Sequence, residues 1–338
     1  MWAQSVQDGL GGGPQPIQFE NDELFVDVLP SNGGKIASIR CKKDNTEFLL
    51  SGSRYNHIAS FEASAPFTAS DCAGVDECLP SLAASGSDTP GGTIPDHGDF
   101  WRLPWDVVTR QGNSVTLQAR GLSRPLIFTR HISLSGNTLA IRSKIKNIGG
   151  SPFPIHYACH PLLAVDPEDR IVLPRGVESM NVYESENRLP SGPVTWPIHF
   201  LGDERVDLGC VGKPLDGIAD MLFSNRLSSG VCGIYRRQYG KGIVMDFNVE
   251  MLPYLGLWMS FGGWPKSGTR KQYAVALEPT TAPCGSLVEA LSVAAAPILE
   301  KDRPLEFWIN FSVLGTKEWV GEDSFVEHLR AGTQPIFC

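Results

Sequence analysis

Hydrophobic and polar residues alternate along much of the chain, and glycine, proline and asparagine break the alternation at short intervals. Residues 23–30 (ELFVDVLP) and 35–40 (KIASIR) place apolar side chains on every second position, with Ser-Asn-Gly-Gly between them. A period of two fits a half-buried strand, and glycine-rich breaks fit tight turns. The pattern predicts two strands, a turn at 44–47, and a third strand at 48–50. It recurs at 106–109, 114–119, 126–134 and 138–145, separated by Gln-Gly-Asn at 111–113 and Ser-Gly-Asn at 135–137. His131 falls in this run and reads as an ordinary strand residue. Further strand-like segments lie at 250–261, 273–278, 286–291, 298–300 and 306–314, with a short helix at about 324–330. Many short strands joined by tight turns predict an all-β, antiparallel fold.

Composition sharpens this reading. Of 338 residues, 42% are hydrophobic and 20% charged, as expected of a chain that buries a core, and 35 glycines with 25 prolines favour turns over long helices. A net charge of −8 argues against nucleic acid as a partner, which needs a concentrated basic face. No apolar run approaches the roughly 18 residues of a membrane span, and the first residues lack a secretory pattern, so a cytoplasmic protein is expected. Eight cysteines occur without any C-x-x-C spacing, which predicts buried free thiols. Dinucleotide, P-loop, zincin and nucleophile-elbow motifs are absent. The expected organisation is a lead over 1–17, one β domain over 18–315 and a tail over 316–338.

Chemistry-bearing residues concentrate in four places. In 153–174, His156 and His160 lie four apart between prolines, so they share a face of an extended segment, and metal binding, catalysis and structure are all open to them. In 94–105, His97 is followed by Trp101, Arg102 and Trp105; flat aromatic faces with a planar cation suit polyhydroxylated ligands, although tryptophans also fill cores. The aperiodic stretch 51–96 is too long for a simple connection. It carries Asp76 and Glu77, readable as a solvated turn or as hydroxyl acceptors. Glu278 ends an apolar strand, where desolvation raises a carboxyl toward usefulness as a base. Trp258 is a candidate site wall.

Taken in order, these segments resemble the aldose 1-epimerase (galactose mutarotase-like) family. The hairpin at 29–39 is similar to the family's first, Asp96-His97-Gly98 with Trp101 to its first histidine motif, and His160-Pro161 before Asp166 and 170–174 to its second. Leu277-Glu278-Pro279 is similar to the strand end that carries the family's catalytic glutamate. The resemblance runs from about residue 18 to 314 and implies a large β-supersandwich that binds a small-molecule carbohydrate. It implies an isomerase that interconverts anomers by acid/base ring opening without metal or cofactor. Glu278 would be the base, His160 the acid at the ring oxygen and His97 a polarising donor, while Asp76, Glu77, Trp101, Arg102, Asp246 and Trp258 would contact substrate. Arg54 is the position suggested for the family's arginine. The aromatic usual after the second histidine motif is replaced by Leu162-Leu163. The alternatives are a binding-only carbohydrate protein on the same fold, or a lyase or hydrolase, which would usually need a second, facing carboxylate.

Overall fold

The computed structural model describes residues 15–52, 66–186, 188–268, 271–316 and 321–331. Arg54 and most of the N-terminal lead lie outside them. Two large antiparallel sheets account for most of the ordered backbone. The ten-stranded sheet runs in the order Ile17–Glu20, Leu24–Leu29, Lys35–Cys41, Val75–Cys78, Ala158–Leu163, Tyr273–Thr280, Tyr254–Phe261, Ile218–Ser224, Ser179–Ser185 and Gly192–Thr195. The eight-stranded sheet runs Arg170–Val172, Val231–Arg236, Lys241–Phe247, Leu305–Leu314, Thr138–Asn147, Leu126–Ser135, Ser114–Arg120 and Asp106–Gln111. The fold is all-β.

Alternation in the sequence becomes alternation in burial. Along Leu126–Ser135 the inward positions Leu126, Phe128, Arg130, Ile132 and Leu134 are buried, while the residues between them are partly or fully exposed. Inward apolar residues of both sheets form one continuous cluster, including Val26, Ile36, Leu257, Phe128, Ile141 and Phe311. Full burial of each such side chain contributes about 1.5–3 kcal/mol. Tyr157 ties the sheets together, its ring centroid 4.6 Å from Phe307 and 6.0 Å from Phe128.

The structure differs from the sequence expectation in three places. Residues 286–291 form no strand: Leu287–Ser292 is a helix, because the Ser286 side chain accepts from the Glu289 amide and the Glu289 carboxylate reaches back to the Ser286 amide. This reciprocal cap outweighs the local alternation. Asp76 and Glu77 are not in a solvated turn, since Val75–Cys78 is a short inner strand with every residue buried. Residues 48–50 form no strand of their own, and Leu49 makes only an isolated bridge to Leu163. The helix expected near the C-terminus spans Glu322–Ala331 and packs Phe325 and Leu329 onto Val231 and Tyr235. No helix among the described residues is long and apolar enough to cross a membrane.

Candidate active site

Three adjacent strands in the middle of the ten-stranded sheet carry the chemistry. Antiparallel pairing sets His160 opposite Asp76. On its other side, the pairs Ala158 with Thr280 and Leu162 with Ala276 put His160 level with Glu278, which in turn pairs with Gly256. Because successive side chains alternate between faces, Asp76, His160 and Glu278 form one row on one face. At Gly256 the row is open: a Cβ there would lie 2.9 Å from Met221 Cε and 3.2 Å from Glu278 Cβ, so glycine keeps space beside the carboxyl.

His97 reaches the same place from a loop. Its backbone is left-handed, with φ of 59°, and its amide is held by the Leu82 carbonyl at 2.8 Å. Gly98 follows at φ of 70°, pressed so close to Leu79 that a Cβ would lie 2.1 Å from that residue's carbonyl oxygen. Only glycine fits there. A non-glycine residue in the conformation of His97 costs on the order of 1–3 kcal/mol, and the surrounding contacts hold it. His97 Nδ1 shares a 2.9 Å hydrogen bond with Asp96, and its ring stacks on Phe67 with centroids 3.9 Å apart. The ring stands edge-on to His160 at 5.4 Å.

His160 and Glu278 form the floor of a cavity of about 200 Å³. Its walls include His97, Phe67, Leu82, Trp258, Trp264, Met221, Phe223 and Gln272, with Tyr183 and Glu184 also lining it. Trp258 is fixed by a 2.8 Å hydrogen bond from Nε1 to Gln272 Oε1. Flat aromatic walls around a few polar groups match the general build of small-molecule sites. His160 Nε2 lies 3.7 Å from Glu278 Oε1, beyond hydrogen-bond length, so an oxygen seated above the gap could touch both.

The electrostatics follow from burial. Glu278 is 2% exposed, and desolvation pushes its carboxyl up to about 8. His160 is held well below the ordinary imidazole value, first by desolvation and then by His97 and Lys35. At neutral pH the pair therefore holds one proton, on the carboxyl. Glu278 Oε2 has no hydrogen-bond partner among the described residues.

Of the residues singled out in the sequence, His97, His160, Glu278 and Trp258 meet at this cavity. Asp76 lies buried beside His160. Glu77 points to the opposite face, where its oxygens take Tyr157 Oη at 2.6 Å and face Arg130 Nη2 at 2.8 Å, so it is a core carboxylate and does not line the cavity. Trp101 is buried and donates from Nε1 to the Asp96 carbonyl at 3.1 Å, bracing the histidine loop from behind. Arg102 is buried with its guanidinium carbon 6.0 Å from the Trp101 ring centre. Asp246 sits in the eight-stranded sheet, opposite Asn310. Neither Arg102 nor Asp246 lines the cavity. Sequence reasoning did not single out Phe67, Met221, Phe223, Tyr183 and Gln272, which carry no motif and reach the cavity only through long-range packing. His156, four residues before His160, is sealed between Thr281 Oγ1 at 3.0 Å and the Cys284 carbonyl at 2.9 Å. Among the described residues no histidine, cysteine and carboxylate cluster has metal-holding geometry.

Neither protein-family models nor curated protein sequences match the chain. Solved structures do. The Slr1438 protein of Synechocystis sp. PCC 6803 superposes with a TM-score of 0.66 at 16% identity, covering 93% of this chain and 99% of that one. A galactose mutarotase-like protein from Lactobacillus casei gives 0.62 at 16% identity, covering 88% and 100%. The GalM/aldose epimerase homologue from C. elegans gives 0.62 at 14% identity, covering 91% and 99%. The chain has the galactose mutarotase-like fold. Within this galactose mutarotase-like fold, the row of Asp76, His160 and Glu278 occupies interior strands, with a paired neighbour on each side.

Proposed function

We propose that the protein is an aldose 1-epimerase-like isomerase acting on a sugar or sugar derivative. The observation that carries this reading is the 3.7 Å approach of His160 Nε2 to Glu278 Oε1 across the floor of one aromatic-walled cavity, with His97 beside them. Inverting an anomeric centre through ring opening needs two proton movements. One group removes the proton of the C1 hydroxyl, another protonates the ring oxygen, the bond from C1 to the ring oxygen breaks, and C1 becomes a carbonyl. Reclosure on the other carbonyl face reverses both transfers and gives the other anomer.

A pair that shares one proton meets this need, since one member gains a proton as the other loses one. Glu278 acts as the base at O1 and His160 as the acid at the ring oxygen, reached when the resident proton passes from carboxyl to Nε2 in the sugar complex. His97 donates to the sugar. Each positioned acid or base contributes roughly 10²–10⁴-fold. Trp258 and Phe223 offer flat faces for the apolar side of a pyranose.

The test is anomer exchange of a panel of free aldoses, followed by polarimetry or NMR. Glu278→Gln and His160→Ala each lower kcat at least about 100-fold. The rate falls as pH rises through about 8, because the carboxyl then loses the shared proton. Wild-type rates in both variants overturn the assignment. Sugar binding by thermal shift with no exchange of any bound sugar leaves a binding-only protein.

A further inference from the structure

On the side of His160 away from Glu278, the sheet buries a charged cluster to which the anomer exchange assigns no role. Lys35 is 1% exposed; its ammonium donates to the Ala73 carbonyl at 2.8 Å and to Asp71, and lies 3.2 Å from Asp76 Oδ2. Burial alone would discharge it, and the two carboxylates keep it charged. Asp76 is fully buried and directly opposite His160 on the same face, where facing Cβ atoms lie about 4.5–5.5 Å apart. Burial raises its carboxyl to about 6, with Lys35 opposing the rise, so Asp76 is ionised at neutral pH.

Two buried atoms in this cluster stand out. His160 Nδ1 and Asp76 Oδ1 have no partner among the described residues, and Asp76 Oδ2 has only the Lys35 ammonium at 3.2 Å. Buried polar atoms rarely go unpaired, and each orphan calls for an explanation. Here an imidazole nitrogen able to donate faces a carboxylate able to accept, across one strand pair. Around the ring stand His97, Phe67 and Glu278, with Lys35 and Asp96 in electrostatic reach and the His160 backbone carbonyl beside it, and none of these gives Nδ1 a well-formed hydrogen bond.

We propose that Asp76, held ionised by Lys35, accepts a hydrogen bond from Nδ1–H of His160, directly or through one bridging water, and fixes the tautomer whose Nε2 faces Glu278 and the sugar. Asp76 is then a positioning residue. Its charge also balances the imidazolium that forms when the shared proton sits on Nε2, and Lys35, shared with Asp71, keeps Asp76 from taking that proton itself. The rate consequence rests on the isomerase reading; the tautomer does not.

Nitrogen NMR of histidine-labelled full-length protein, with His160 assigned by its loss in His160→Gln, reads the tautomer directly. The expected wild-type spectrum at neutral pH has Nδ1 protonated and Nε2 unprotonated. Asp76→Leu removes the acceptor while Lys35 keeps Asp71 and the Ala73 carbonyl, and the His160 signals move to a tautomer mixture. In that variant kcat for anomer exchange falls about 10-fold with KM within about twofold, the usual scale for a group that orients a reacting residue. Asp76→Asn keeps an acceptor oxygen and restores the tautomer. Wild-type protein with its proton on Nε2, or folded Asp76→Leu with unchanged His160 signals, overturns the proposal. Where Asp76→Leu does not fold, the wild-type spectrum decides. An Asp76-dependent tautomer in a protein that exchanges no sugar anomers removes the isomerase reading and leaves this one standing.

Discussion

Asp76 and Glu77 are neighbours in one strand and face opposite worlds. On the inner face Glu77 is fully matched, with Tyr157 donating to one oxygen and Arg130 facing the other, while Arg130 also donates to the Gly34 carbonyl at 2.9 Å. On the cavity face Asp76, His160 and Glu278 are as deeply buried, yet Asp76 Oδ1, His160 Nδ1 and Glu278 Oε2 have neither a hydrogen bond nor an ion pair among the described residues. The contrast separates two uses of buried charge. The carboxylate sealed between the sheets has a partner at both oxygens, whereas each residue of the cavity row keeps one polar atom with capacity for a ligand or a proton.

The largest expected effect tests the sealed face. Arg130→Met leaves Glu77 buried without its cation and lowers unfolding free energy by about 3–5 kcal/mol in denaturant titration. A loss below about 1 kcal/mol would mean that the inner pair is no more structural than the cavity row. The opposite sign is expected on the cavity face. The Glu278 carboxyl ionises from about 4.5 in the unfolded chain and only near 8 in the fold, so the fold carries no penalty below the lower value and a full penalty above the higher one. Glu278→Gln therefore stabilises the protein by up to about 4 kcal/mol at pH 8, and the gain shrinks toward zero near pH 4.5. A destabilised Glu278→Gln protein at pH 8 breaks the comparison.

The smallest effect concerns the sealed histidine. Burial lowers His156 to about 4, so its contribution to stability is fully present above about pH 6.5 and is lost as pH falls toward 4. Comparing wild type with His156→Gln by thermal unfolding across that range isolates a loss of up to about 3 kcal/mol. Parallel curves for the two proteins would show that His156 is not held neutral.

The sheets were legible because a period of two survives translation into structure almost position by position, as in Leu126–Ser135. Glu278 stood out for a different reason, as an ionisable residue in an apolar strand, whereas His160 was separated from His156 only by the family resemblance. Faces were harder. Shifting register by one residue exchanges them, so sequence alone could not tell Asp76 from Glu77. Ser286 and Glu289 carry a readable capping signal, but the alternation of 286–291 competes with it and points to a strand. Trp101, Arg102 and Asp246 resemble site residues by type alone, and their burial behind the loop or placement in the other sheet depends on long-range packing. Lys35 gave the least notice, since a lysine at a strand entrance ordinarily reaches water.

The position of the row within the sheet has a consequence for how this molecule can change. His160 and Glu278 lie on strands with paired neighbours on both sides, so their backbone amides exchange with solvent only through large openings of the sheet. Tyr183 and Glu184 come from Ser179–Ser185, one strand in from an edge, and Trp264 from a loop. The anvil is thus clamped while the jaws are adjustable. Substitutions near the rim can therefore reshape one side of the cavity while the floor of His160 and Glu278 stays in place.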